Sequence, residues 1–82
     1  MRKHFIGRAP CQNAWISYYL LEEKGPKSGT LYGVQAELMG ETAAMPGLTT
    51  SQPRIRGLLA SLIQGGVTPV TLENVVEDWL LT

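Results

Sequence analysis

The chain has 82 residues, 44% of them apolar and 17% charged, with a formal net charge of zero. That length suits one domain burying roughly 60–65% of its unfolded surface around one modest core, and the composition excludes an intrinsically disordered chain. Zero net charge excludes a global field that recruits nucleic acid or an anionic membrane, and a lone cysteine, Cys11, excludes an intramolecular disulfide and a zinc cluster.

The charge is unevenly spread. Arg2, Lys3, Arg8, Lys24 and Lys27 make the first third basic, and after Arg56 every charged residue is acidic. The two ends are therefore electrostatically complementary, to each other or to a second copy. A small chain without disulfides fits a reducing cytoplasm. Arg2 and Lys3 could begin a leader, but Gly7, Arg8 and Pro10 interrupt any apolar stretch. The run Ala14–Leu21 is too short to span a bilayer. The expectation is a cytoplasmic protein without a membrane segment.

Residues 1–13 are weakly patterned. Phe5 and Ile6 predict a short edge strand within a partly ordered segment that Gly7, Pro10, Gln12 and Asn13 punctuate. Residues 14–22, A-W-I-S-Y-Y-L-L-E, are rich in aromatic and β-branched types and predict a strand. Ile16, Tyr18 and Leu20 share one face, and Trp15, Ser17, Tyr19 and Leu21 the other. A loop follows over residues 23–29. Residues 30–38 alternate as a half-buried strand with Tyr32, Val34, Ala36 and Leu38 inward. The two runs pair as a hairpin, which sets Gly33 near Tyr19 with room for the ring to fold over the backbone. Gly40 turns the chain into a third, edge strand, Glu41–Met45, which Pro46 ends.

The period then changes. Ile55, Leu58, Leu59, Leu62 and Ile63 mark a helix over residues 51–64, capped by Thr50 or Ser51, with Pro53 in the first turn and Gly65-Gly66 at the end. A second helix starts at Thr68 and Pro69, and its stripe of Leu72, Val75, Val76, Trp79 and Leu80 is expected to seal the core. The predicted fold is α+β: a small antiparallel meander of 2–4 strands with two C-terminal helices packed on one face.

No catalytic constellation emerges. His4 and Cys11 lie in the segment expected to be least ordered, which is ill suited to hold a nucleophile against its base. One His and one Cys fall short of a metal set, and Glu73 and Glu77 at i, i+4 read as a solvated stripe. Gly65-Gly66 follows a helix and so does not cradle a phosphate. No cofactor is expected. Trp15, Tyr18, Tyr19 and Tyr32 could stack on bases, but the two strands that hold them carry no Lys or Arg on their faces, which disfavours nucleic acid.

Three features point to a protein partner or a second copy. Trp15, Tyr19, Leu21 and Leu31 face away from the helices and form a candidate apolar interface, unless Phe5 and Ile6 cover it. Gly57 and Ser61, with Ala60 and Gln64, give the first helix a smooth outer face, although a glycine there costs about 1 kcal/mol relative to alanine. Glu73, Glu77 and Asp78 form an acidic patch whose charges oppose the helix dipole and one another. Arg54, Arg56 and the basic N-terminus are their expected partners.

The runs Y-Y-L-L-E-E, Y-G-V-Q-A-E-L and V-T-P-V-T-L-E-N-V-V-E-D-W-L, in that order, resemble a family of short bacterial proteins classed as a domain of unknown function. The resemblance covers residues 17–80. It is sharpest at T-P-x-x-L-x-x-V-V-E-D-W-L, matched by Thr68, Pro69, Leu72, Val75, Val76, Glu77, Asp78, Trp79 and Leu80. It implies a small self-contained bacterial domain and brings no activity, cofactor or catalytic residue. The reading from sequence is a non-enzymatic protein-interaction or regulatory module, whose partner is another protein or a second copy of itself. The alternatives are a sheet-based binder of single-stranded nucleic acid and, further back, a minimal ligand-binding domain or enzyme.

Overall fold

The computed structural model describes residues 1–82, apart from the side chain of Ser28. Among the described residues, four strands form one antiparallel sheet in the order β1-β2-β3-β4: β1 Arg2–Cys11, β2 Ala14–Lys24, β3 Thr30–Leu38 and β4 Glu41–Thr49. Two helices follow, α1 Gln52–Gly65 and α2 Pro69–Leu80. The α+β class expected from the change of period is the class observed, and none of these helices is long and apolar enough to cross a membrane.

The first strand corrects the expectation for the N-terminus. In place of a short edge strand around Phe5 and Ile6, one strand runs from Arg2 to Cys11, and nine of its ten residues pair with β2. The register slips between Phe5 and Gly7, where Ile6 is the extra residue of a bulge. A bulge of one residue reverses which side chains share a face. Lys3 and Phe5 therefore lie on the same face as Arg8 and Pro10, while Gly7 and Ala9 point the other way. Ala9 joins the core, and a Cβ on Gly7 would meet Ile63 Cδ1 at 2.9 Å.

The hairpin of β3 and β4 turns through Met39 and Gly40, both at positive φ, 48° and 87°. That is the twist a two-residue turn needs, and glycine adopts it without strain. Beyond it, β4 does not end at Pro46 as expected. The pairing steps from Val34↔Met45 to Tyr32↔Thr49, so Pro46, Gly47 and Leu48 oppose Gly33 alone. An edge strand can lose the proline donor without breaking the sheet. The loop out of register closes over Gly33, where an added Cβ would meet the Met45 carbonyl oxygen and sit 2.6 Å from Pro46 Cα. Gly33 pairs with Leu21, so Tyr19 does not fold over it.

The helix ends follow the sequence signals. Ser51 Oγ accepts a hydrogen bond from the Arg54 amide, 3.3 Å, which caps α1. Gly66 is left-handed at φ 60°, its N–H donates to Ile63 O, and the Val67 N–H donates to Leu62 O. Those two bonds make a Schellman ending. Thr68 precedes Pro69 at the start of α2, but its hydroxyl pairs with Thr71 Oγ1 rather than a backbone amide.

The core takes Ala9, Ile16, Tyr18, Leu20, Val34 and Ala36 from the strands and Ile55, Leu58, Leu59, Leu62, Leu72 and Val76 from the helices. Tyr18 is its one large polar-tipped side chain. Its hydroxyl donates to Val67 O at 2.6 Å, tying β2 to the α1–α2 connection. Burial, and after it the nearby Cys11, pushes the phenol up to about 12. The stripe on α2 seals the core less completely than its spacing implies. Leu72 and Val76 are buried and Val75 and Trp79 are half-buried, whereas Leu80 is 49% exposed.

Candidate interaction surface

Strand alternation puts Tyr18 and Leu20 in the core and turns Trp15, Ser17, Tyr19 and Leu21 to the opposite face. The β1 register adds Lys3, Phe5, Arg8 and Pro10 to that face, and β3 adds Leu31, Gly33, Gln35 and Glu37. Phe5 pairs with Tyr19 across the strands, the rings meeting edge to face with centroids 5.8 Å apart. Lys3 Nζ lies over the Tyr19 ring, 4.5 Å from its centroid, and reaches Glu37 Oε2 at 3.2 Å. Gln35 donates to the same carboxylate oxygen at 2.8 Å. At the other end, the Arg8 guanidinium covers the Trp15 ring at 4.2 Å. The face is thus a strip of three aromatic rings, two of them lined by a cation.

The sequence candidates fall in three places. Trp15 (52% exposed) and Tyr19 form the strip, beside Phe5 at 57%. Leu31 is half-buried on the same face, and Leu21 is buried at 3%, between Lys3 and Gly33. Gly57 and Ser61 sit exposed on α1, away from the strip, and a Cβ on Gly57 would meet nothing within 4 Å. Among the described residues nothing fills that space. Glu73, Glu77 and Asp78 are exposed on α2. Among the described residues neither Arg54 nor Arg56 makes an ion pair with them, and Arg54 lies over the Trp79 ring, 4.7 Å from its centroid.

Two sequence arguments lose their premise. The strands were expected to offer no cation beside the aromatics, yet β1 brings Lys3 and Arg8 onto them. Phe5, Lys3 and Arg8 were missed as site residues because plain alternation cannot connect positions 3 and 5 to 8 and 10 across a bulge. The Gly7 that follows Ile6 was the available signal. His4 and Cys11, expected in a partly ordered segment, are both on β1. They are still far apart: seven positions of strand put them roughly 20 Å from each other. His4 Nε2 instead lies 3.1 Å from Glu22 Oε1, close enough for an ion pair when protonated but out of line for a hydrogen bond.

Other chemistry has thin material. Among the described residues no group of three His, Cys, Asp or Glu converges as a metal site. A cavity of about 280 Å³ is lined by Met1, Arg2, Glu22, Glu23, Lys24 and Thr30, with both signs of charge.

The fold and this strip define a small α+β protein with an aromatic, cation-lined sheet face. The chain belongs to the family of unknown function (DUF6514), which matches residues 6–82. No curated protein and no solved structure matches it.

Proposed function

We propose that the protein is a small non-enzymatic interaction module that docks another polypeptide through the sheet face of Phe5, Tyr19 and Trp15. The observation that carries this reading is the exposure of Phe5 and Trp15, 57% and 52%, beside Tyr19 and opposite the core. Tyr, Trp and Arg are the residue types that dominate binding energy at protein interfaces. Here cations hold two of the rings in place, which limits the entropy lost on docking. In this reading α1 and α2 cover one face of the sheet and leave the other for the partner. The composition of the core, with Ile16, Tyr18, Leu20, Val34 and Ala36 alternating along β2 and β3, supports it. Strand addition at the edges is disfavoured: β1 carries Arg2, Lys3, Arg8, Pro10 and a bulge, and β4 carries Pro46 and another. The setting is a bacterial, reducing cytoplasm, supported by the resemblance at the T-P-x-x-L-x-x-V-V-E-D-W-L segment and the lone cysteine.

The test is a photoreactive aromatic residue at position 15, irradiated in cells that make the protein. An adduct with a second polypeptide from position 15, and none from position 61, supports the sheet face. An adduct from position 61 alone moves the contact to the Gly57–Ser61 face of α1, and adducts from neither overturn the module.

A second reading, a binder of single-stranded nucleic acid, is favoured by Lys3 and Arg8 lying among three aromatic rings. Against it, Glu37 neutralises Lys3, and Arg8 occupies the ring face of Trp15 that a base would need. In a Trp79→Phe background, a salt-sensitive change in Trp15 fluorescence on adding oligonucleotide would turn the assignment toward it.

A further inference from the structure

We infer that the polypeptide that occupies this face is the α2 helix of a second copy of the chain, in a head-to-tail contact. The inference rests on the docking face proposed above and names its partner. The face presents aromatic rings with one free cation: Glu37 neutralises Lys3, whereas Arg8 has no carboxylate partner among the described residues. Its complement would be an acidic segment with apolar side chains beside the acids.

The helix α2 is such a segment. Val70, Glu73 and Glu77 on α2, and Leu81 just past its end, follow one another at intervals of three or four residues, and Asn74 lies three or four from Val70 and Glu77, so they share a face. All are exposed, Leu81 at 86%, with Asp78 and Leu80 beside them. The carboxylates of Glu73, Glu77 and Asp78 have no ion-pair partner among the described residues. The wrong-signed charges at the C-terminal end of α2 make sense as one half of a contact, since they oppose the helix dipole in an isolated molecule.

The two halves do not meet within one chain. α2 packs on β3 and β4, whereas β1, which supplies Lys3, Phe5 and Arg8, is at the far edge of the sheet. The strip also faces away from the core that α2 helps to bury. The docking patch and the docked patch are different surfaces, so the contact is heterologous. Each copy offers one helix and one face, and association continues until a ring closes or the chain of copies ends. Opposite charges at exposed positions make it sensitive to salt.

Two sets of surface substitutions separate this arrangement from others. Arg8→Gln with Trp15→Ser removes the face and leaves the helix. Glu73→Gln and Glu77→Gln with Leu81→Ser remove the helix and leave the face. Circular dichroism confirms that each remains folded, and sedimentation equilibrium reads the mass. The wild-type protein is expected to gain mass with concentration at low salt and to lose it at high salt. Each variant alone is expected to be monomeric, with association weakened at least tenfold. Their equimolar mixture is expected to form a dimer and nothing larger, because one intact pair of surfaces remains. A wild-type protein that stays monomeric at every concentration overturns the inference, as does a mixture that stays monomeric. If that result coincides with a photo-adduct from position 15 to a different protein, the docking face stands and only its occupant is wrong. A monomer that binds oligonucleotide in a salt-sensitive way overturns both.

Discussion

The guanidinium of Arg54, at the start of α1, lies over the indole of Trp79, near the end of α2, 4.7 Å from the ring centroid. The pair joins the first turn of one helix to the last turn of the other. Among the described residues the acidic end of α2 lacks the arginine partner expected for it. We predict a coupling of about 0.5–1 kcal/mol between the two side chains in a double-mutant cycle of Arg54→Ala and Trp79→Ala, read from urea denaturation. Trp79→Ala alone is expected to cost about 2–3 kcal/mol, below the range for a fully buried tryptophan, because the ring is only half-buried.

Glu77→Gln is expected to leave stability unchanged or raise it by a few tenths of a kcal/mol. The carboxylate is exposed, sits at i, i+4 from Glu73 and opposes the dipole, so its removal relieves two small repulsions. The urea midpoint of the monomer at low concentration is the measurement. A loss of more than about 1 kcal/mol would reveal a specific partner within the chain.

Tyr18→Phe is expected to cost about 1 kcal/mol, because it leaves the carbonyl of Val67 without its donor in a part-buried site. The phenol also sets a pH dependence. Its folded pKa, about 12, lies above the ordinary value of 10.0, so the folded protein holds the proton more tightly. The contribution is fully present below pH 10 and is lost as pH rises toward 12. Denaturation of wild type and Tyr18→Phe at pH 8 and pH 11 should show the gap between them narrowing at the higher pH.

Two glycines should respond in opposite ways to alanine. Gly57→Ala is expected to stabilise by about 1 kcal/mol, since the position is a helix interior with open space around it. Gly33→Ala should destabilise by several times that amount or detach β4. Its Cβ has no room beneath Met45 and Pro46, and backbone is what stands in the way. Thermal melts of the two variants decide both.

Much of the fold is legible in the residues. The alternation over 30–38 gives β3 with its boundaries, and Thr30–Leu38 is the strand observed. The stripe of Ile55, Leu58, Leu59 and Leu62, together with Ser51 and Gly66, gives α1 and both of its ends. These signals are local: hydrophobic period, a capping hydroxyl, a glycine that accepts a left-handed conformation. Leu72 and Val76 are buried as their spacing implies, but Leu80, in the last turn of α2, is 49% exposed.

The candidate site was only half legible. Trp15 and Tyr19 follow from the alternation of β2. Lys3, Phe5 and Arg8 do not, because a bulge at Ile6 changes the phase of β1 midway and no local rule says that residues 2–11 pair at all. The passage of β4 through Pro46 depends on the space that Gly33 leaves on the neighbouring strand. The choice of Arg54 between carboxylates and the Trp79 ring depends on where two helices end relative to each other. By itself, then, the sequence determined the class of fold, most elements and most of the core, since periodicity and turn chemistry act within a few residues. Tertiary structure decided the phase of β1, the cations on the aromatic face and the unpaired acids of α2, since each depends on residues far apart in sequence meeting at one register.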